Sequence, residues 1–205
     1  MAPVDRFFSE DDGLAETRHV FLEGNNLPQA WQGRDEFIVS ELGFGTGLNL
    51  LALALLAPPG LIYQSVEWAP LPVAAVTGLV DRWPELAEPV RALARVYDPR
   101  PGWNRWSWPW GTVLLYVGDA RDLPLQVSTF QPCDAWFLDG FAPDRNPKLW
   151  GPELLKWAGR MTKPGGTAAT YSAAGVVKRG LRDAGFQVKR ATGWGQKRHM
   201  VRAWL

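Results

Sequence analysis

The sequence is poor in the residues that build metal centres and disulfides. Its 205 residues contain one cysteine, Cys133, and two histidines, His19 and His199. A single cysteine excludes an internal disulfide and a cysteine-rich metal site. Two histidines so far apart along the chain argue against a zinc site built on histidine. We therefore expect no metal and no disulfide partner.

The sequence also lacks a long apolar run. The longest one, residues 50–56, ends before Pro58 and Pro59 and is too short to cross a bilayer. The N-terminal residues MAPVDRFFSEDDG carry acids and lack the apolar core and cleavage site of a secretory signal. These absences predict a cytoplasmic protein with no membrane partner.

The remaining composition is that of a globular chain. Hydrophobic residues make up 46% and charged residues 21%, and the length fits one domain. No internal repeat or linker marks a second domain. We expect residues 1–205 to form a single monomeric domain, with residues 1–35 as an N-terminal extension that contributes to the functional site.

Charge is distributed unevenly along the chain. Residues 1–144 hold 9 Lys/Arg and 19 Asp/Glu, for a net charge of −10, whereas residues 145–205 hold 13 and 2, for +11. A basic segment of this size favours a polyanionic partner, most often a nucleic acid. Solvated helix surfaces are the alternative that charge alone leaves open.

Short β-prone runs alternate with helical segments. The predicted strands span 36–42, 61–67, 112–119, 133–140 and 167–172, and the predicted helices span 48–56, 73–95 with a break at Pro84, 152–161 and 174–184. Residues 186–191 and 199–205 can pair as a closing hairpin. The alternation predicts an α/β, Rossmann-like fold with a mostly parallel central sheet, helices on both faces and a C-terminal antiparallel hairpin.

Residues 99–110, PRPGWNRWSWPW, hold four of the twelve tryptophans. Their proline and glycine content predicts a loop. A tryptophan cluster packed over a sheet edge is favoured over a stacking surface for nucleic-acid bases, because the first use of tryptophan is to bury area.

The segment ELGFGTGLN places Gly43, Gly45 and Gly47 between a strand and a helix. Glycines there let a ligand approach the backbone. The dinucleotide pattern fails, because Leu48 occupies the position of its third glycine. An acid before the loop, Glu41, makes the segment resemble motif I of class I S-adenosylmethionine (SAM) methyltransferases. A tight strand-to-helix turn is the alternative.

Two further acids follow predicted strands. Glu67 ends the second strand, where a carboxylate accepts hydrogen bonds from both ribose hydroxyls of a nucleoside. Asp119 ends the next strand, where a carboxylate can accept from an adenine amino group. Surface acids at strand ends are the alternative, but three such features around one crevice favour a SAM site.

The stretch CDAWFLDGFAPDRNPKLW places Asp139 after an apolar strand and before a turn. A carboxylate there can orient a nucleophilic amine and stabilise the positive charge that grows on its nitrogen. Phe141 could hold a flat base. The alternative is an aspartate that only caps the turn.

Four stretches between Phe7 and Met200 carry a family resemblance: GLAETRHVFLEGNNLPQAW, FIVSELGFGTGLN, WFLDGFAPDRNPKLW and YSAAGVVKRGLRDAGFQVKRATGWGQKRHM. They resemble the methyltransferase domain of the MnmC and MnmD family. The resemblance implies a class I SAM-dependent methyltransferase. It would convert 5-aminomethyl-2-thiouridine at the tRNA wobble position into 5-methylaminomethyl-2-thiouridine.

The resemblance also implies roles for individual residues. The implied SAM site comprises Glu41, Gly43, Gly45, Gly47, Glu67 and Asp119, with Asp139 and Phe141 facing the amine and with Asn25 and Asn26 as an additional wall. Trp68 departs from the usual pattern, and its indole would stack on the adenine. The tail reads GWGQKRHM where GFGRKREM is more usual. No flavin-binding region follows Leu205, so we expect no oxidase activity.

The basic C-terminal part supplies the predicted tRNA contacts, which are Arg145, Lys148, Lys178, Arg179, Arg182, Lys197 and Arg198. Three alternatives stay open. An aminopropyltransferase of the spermidine synthase kind and a small-molecule amine N-methyltransferase share the fold, and a non-catalytic RNA-binding module would bind tRNA without SAM.

Overall fold

The computed structural model describes residues 12–58, 60–125, 129–140 and 147–205. In these ranges eight strands form one sheet: β1 Phe37–Leu42, β2 Leu61–Glu67, β3 Gly102–Trp108, β4 Gly111–Val117, β5 Cys133–Phe137, β6 Thr162–Thr170, β7 Gln187–Thr192 and β8 His199–Trp204. The α-helices are α1 Gly13–Thr17, α2 Leu48–Ala54, α3 Val73–Thr77, α4 Leu79–Arg82, α5 Ala87–Ala94, α6 Pro152–Arg160 and α7 Gly175–Asp183. None of these helices is long and apolar enough to cross a membrane.

The strand order is β3-β4-β2-β1-β5-β6-β8-β7. The five strands from β4 to β6 are parallel, and β3, β8 and β7 each run antiparallel to the strand beside them. The predicted Rossmann-like fold with a C-terminal hairpin is confirmed. β2 and β5 flank β1, so the order reverses there, and a doubly wound sheet opens its ligand crevice at such a point.

β1 is buried along its whole length because the sheet is covered on both faces. Phe37 and Val39 belong to the apolar core that includes α2, whereas Ile38 and Leu42 belong to the second core, which includes α6. This alternation follows from the two-residue period of a strand. Glu41 is an ionisable exception within this apolar strand, since its side chain is buried as well.

The tryptophan-rich segment is a strand, and the predicted loop over 99–110 was wrong. β3 pairs antiparallel with β4 at the edge of the sheet, with Trp106 opposite Val113. Trp106 and Trp108 pack on one apolar core, and Trp103 packs on the other, with its ring 5.3 Å from that of Tyr116. Alternating tryptophans suit a pleated, half-buried surface, and this preference outweighs the flanking proline and glycine. The favoured interpretation, a tryptophan cluster on a sheet edge, is confirmed.

The N-terminal segment runs from α1 through a π-helical turn, Arg18–Leu22, and two 3-10 turns. It packs on α2 and β6. Asp12 caps α1 by accepting the N–H of Ala15 at 3.1 Å. This packing brings α1 to the edge of the sheet where the parallel strands end.

Candidate active site

The glycine loop, residues 43–47, and the turn after β5 touch each other. Gly43 has φ +93°, and a Cβ on it would lie 3.5 Å from the backbone oxygen of Asp139. A left-handed φ disfavours any residue with a side chain. The amides of Gly43 and Phe44 both donate to the carbonyl of Val66, at 3.1 and 3.2 Å. The ends of β1, β2 and β5 therefore meet at one point.

Glu67 fastens the glycine loop to the end of β2. One of its carboxylate oxygens accepts the N–H of Gly45 at 2.9 Å, and the other accepts the N–H of Ala69 at 3.0 Å. Each carboxylate oxygen can accept a further hydrogen bond. Trp68, next in the chain, is 71% exposed. The carboxylate of Glu67 and the solvent-exposed indole of Trp68 therefore lie beside the glycine loop.

Asp119 lies beyond the end of β4 and forms an ion pair with the guanidinium of Arg121. Its Oδ1 also accepts the backbone N–H of Arg121 at 2.9 Å. The side chain is 22% exposed. Asp119 therefore caps its own turn, and an adenine contact stays a prediction.

Asn49, on α2, joins two buried carboxyl groups. Its Nδ2 donates to Oε1 of Glu41 at 2.8 Å and to Oδ2 of Asp139 at 2.7 Å. Its Oδ1 accepts from the hydroxyl of Thr17 at 2.8 Å, and Ser65 donates to the other oxygen of Glu41 at 3.0 Å. The sequence patterns did not single out Asn49, although a lone amide in the leucine-rich run after the glycine loop is a signal of a buried polar role.

Burial controls the protonation of both carboxyl groups. It raises the pKa of Asp139 to about 7; Glu16 adds to this rise, whereas the Asn49 hydrogen bond and the charge of Lys197 oppose it. Burial, followed by the charge of Asp139, raises the pKa of Glu41 well above its ordinary value. Carboxyl groups with such shifts, in a crevice, are typical of catalytic sites. Asp139 thus changes charge near neutral pH, while the protonated form of Glu41 is favoured.

A second group of residues lies beside Asp139. The Nζ of Lys197 is 2.7 Å from Oε1 of Glu16 and 4.0 Å from the centre of the Tyr171 ring. The hydroxyl of Tyr171 donates to the carbonyl of Gly140 at 2.6 Å. Lys197 is thus paired with Glu16, but its side chain is 46% exposed, and the contact with tRNA phosphates stays a prediction.

Comparison with known proteins identifies the chemistry of this crevice. Residues 101–205 match the model of a family described as S-adenosyl-L-methionine-dependent methyltransferase. The chain belongs to this family. Glycines beside a carboxylate at the end of β2 are consistent with a nucleoside cofactor, and the methyltransferase depends on SAM.

Curated relatives and one solved structure match nearly the whole length of this chain. The tRNA 5-methylaminomethyl-2-thiouridine biosynthesis bifunctional protein MnmC of Nitrosospira multiformis is 42% identical over 207 residues, which are 96% of this chain and 33% of the relative. The MnmC protein of Chromohalobacter salexigens is 42% identical over 96% of this chain and 30% of its own length. The chain thus spans about a third of these relatives. The crystal structure of MNMC2 from Aquifex aeolicus shares the fold, with a TM-score of 0.75 and 23% identity over 96% of this chain and 63% of that one.

Two of the residues predicted to contact SAM, Asn25 and Glu41, are buried in the protein. Asn25 is fully buried; its amide donates to the carbonyls of Phe21 at 2.9 Å and Trp136 at 3.3 Å, and its oxygen accepts from Thr167 at 2.7 Å. It supports the fold instead of forming an open pocket wall. Glu41 is 1% exposed and lies beneath the glycine loop. Asn26 is exposed, with a left-handed φ of 55°.

The predicted tRNA contacts come from different parts of the chain. Lys178, Arg179 and Arg182 lie on α7, whose Val177 and Leu181 are buried against the core. Arg179, Arg182 and Arg198 are exposed, and Lys178 is half-buried. Predictions for Phe141 and Arg145, and for the side chain of Lys148, lie outside the described residues.

Proposed function

We propose that this methyltransferase methylates the 5-aminomethyl group of 5-aminomethyl-2-thiouridine at the wobble position of tRNA, which gives 5-methylaminomethyl-2-thiouridine. The observation that carries the proposal is a buried carboxyl, Asp139, held by Asn49 against the glycine loop. Similarity to MnmC proteins over 96% of the chain supports this reaction, since their name states its product, 5-methylaminomethyl-2-thiouridine in tRNA.

The crevice suits SAM. When bound, SAM supplies a methyl group on a positively charged sulfur. Gly43 and Gly45 present bare backbone, and Glu67 keeps acceptor capacity beside them for ribose hydroxyls. The exposed indole of Trp68 offers a surface on which adenine can stack, and Asp119 would accept from the adenine amino group.

Asp139 would act on the substrate amine. A primary alkylamine resembles the lysine side chain, whose pKa is about 10.4, so it arrives mostly protonated and without a free lone pair. The ammonium loses this proton to solvent, and the ionised carboxylate of Asp139 then accepts a hydrogen bond from the neutral amine, which orients its lone pair. As the methyl group moves from sulfur to nitrogen, the carboxylate stabilises the positive charge that develops there. Because its pKa is about 7, Asp139 is ionised for this role above neutral pH. Phe141, beyond the described residues, would hold the base.

The basic face of α7 would bind the tRNA backbone. Lys178, Arg179 and Arg182 share one side of this helix through i, i+3 and i, i+4 spacings. Phosphate contacts position a nucleic acid without reading its sequence. With Arg198 and Lys148, and with Arg145, which lies outside the described residues, they would hold the anticodon arm near Asp139.

The polyamine alternative is weaker at this site. A polyamine carries several positive charges and needs several free carboxylates, whereas Glu16 is paired with Lys197 and the protonated form of Glu41 is favoured. An N-methyltransferase that acts on a small amine would leave the basic face of α7 without a partner.

The test uses tRNA that carries the unmethylated 5-aminomethyl group, incubated with the protein and SAM and digested for mass analysis. We expect the wobble nucleoside to gain one methyl group. The Asp139→Asn variant should bind SAM and leave the nucleoside unmethylated over the same time. Methyl transfer to spermidine or to free small amines, with none to tRNA, would contradict the proposal. SAM binding without any transfer would do so as well.

A further inference from the structure

The two ends of the described chain meet beside Asp139. Glu16, on α1, pairs with Lys197, in the turn between β7 and β8. His19 lies 2.9 Å, through Nε2, from the carbonyl of Thr192, and its ring centre is 5.6 Å from that of Trp194. The N-terminal segment thus contacts the C-terminal hairpin at two places, through Glu16 and through His19.

Lys197 is held more firmly than an ordinary surface lysine. Its Nζ contacts Glu16, whose side chain is 12% exposed, and lies over the ring of Tyr171. Tyr171 in turn donates to the carbonyl of Gly140, the residue after Asp139. A cation over an aromatic ring and against a nearly buried carboxylate has a defined position. The structure therefore fixes one positive and one negative charge at the rim of the site.

The ionisable groups around Asp139 come from four parts of the fold. Glu41 faces it from β1 and Tyr63 from β2, and the charges of Glu16 and Lys197 reach it from α1 and the hairpin turn. The hydrogen bond from Asn49 adds no net charge. Lys197 favours the ionised form of Asp139, whereas Glu16 favours the neutral form. Glu41 adds little charge, because its own protonated form is favoured. Removing Lys197 or Glu16 should therefore have opposite effects.

We propose that Glu16 and Lys197 are positioning residues that set the charge of Asp139 and, with it, the pH range in which the substrate amine is accepted. The part that concerns the amine rests on the proposed function. Lys197 keeps a buried carboxyl able to ionise near neutral pH. Glu16 balances that lysine, so that an incoming cationic amine does not face an uncompensated positive charge.

The direct test is a carbon-detected NMR titration of aspartate carboxyl groups in the full chain, without tRNA. The Asp139 signal is assigned by its loss in Asp139→Asn. Opposite charges close to a carboxyl lower its pKa by about 1–3 units, and like charges raise it. We expect Lys197→Met to raise the Asp139 midpoint and Glu16→Gln to lower it, each by at most about one unit, because solvent screens the partly exposed lysine.

Matched variants separate charge from structure. Lys197→Arg keeps the charge and should retain the wild-type midpoint. Lys189→Met removes an exposed lysine of the same hairpin and should leave the midpoint unchanged. Circular dichroism checks the fold, and Lys197→Gln replaces Lys197→Met if that variant unfolds. An unchanged midpoint in both charge variants, or shifts in the same direction, would overturn the proposal.

A kinetic test extends the result to the reaction. In single turnovers with saturating SAM and tRNA, the acidic limb of the pH profile should move to higher pH in Lys197→Met and to lower pH in Glu16→Gln. An acidic limb that stays in place while the NMR midpoint moves would refute the role in accepting the amine. Lack of tRNA methylation by the wild type would refute the proposed function instead, while opposite NMR shifts would still establish that this pair sets the charge of Asp139.

Discussion

Replacing Asp139 by asparagine should stabilise the protein at alkaline pH while it lowers turnover. The substitution keeps the shape of the side chain, and the amide oxygen can still accept the hydrogen bond from Asn49. The substitution removes a carboxyl group that ionises while it is buried in the folded protein. A buried charge costs free energy, so the wild type bears a penalty that the variant lacks. Turnover should fall by about 10²–10⁴-fold, the contribution of a positioned acid–base group.

The size of the stability effect follows from the pKa of Asp139. Burial raises it from 3.8 to about 7. Because the folded-state pKa is the higher one, the unfolded chain loses its proton first, and stability falls as pH rises from about 4 to about 7. A difference of about three units is worth about 4 kcal/mol, and this is the gain that we expect from Asp139 itself. The variant also removes the charge that raises the pKa of Glu41, which acts in the same direction.

The assay is urea unfolding of both proteins at a series of pH values. The difference in unfolding free energy, variant minus wild type, should be near zero at about pH 4, rise with a slope of about 1.4 kcal/mol per pH unit and level off above about pH 7. Asp183→Asn, which changes an exposed carboxyl at the end of α7, is the matched control and should give a flat curve. A flat curve for Asp139→Asn would show that this carboxyl has the same pKa in the folded and unfolded states, and the argument from burial would fail with it.

Three further results are expected. Glu67→Ala should weaken SAM binding at least tenfold in calorimetry, because hydrogen bonds to a charged group are worth about 1.5–3 kcal/mol each; unchanged affinity would remove Glu67 from the site. Replacing Lys178, Arg179 and Arg182 by alanine should weaken tRNA binding and flatten its salt dependence, since each phosphate contact releases counterions. An unchanged salt slope would exclude α7 from the RNA interface. Gly43→Ala should lower the unfolding free energy by about 1–3 kcal/mol, because its φ of +93° strains any residue with a Cβ. A variant as stable as the wild type in urea unfolding would argue against this backbone geometry.

Local patterns in the sequence determined most of the fold. The predicted second strand, residues 61–67, coincides with β2, and the predicted closing hairpin coincides closely with β7 and β8. Apolar runs and helical periodicity depend on neighbouring residues, so they can be recognised without the tertiary structure. The same applies to the glycine loop and to Asp139, since each follows directly from the end of a strand.

Only the tertiary structure showed what surrounds Asp139. Lys197 looks like one more basic residue in a basic tail, but it pairs with Glu16 across a separation of 181 residues. Asn25 looks like a ligand contact in a polar segment, but β5 and β6 close over it and use its hydrogen bonds. Asn49 bridges two carboxyl groups that come from different strands. A pKa of about 7 for Asp139 depends on burial and on charges brought together from distant parts of the chain, and no local pattern encodes either of these.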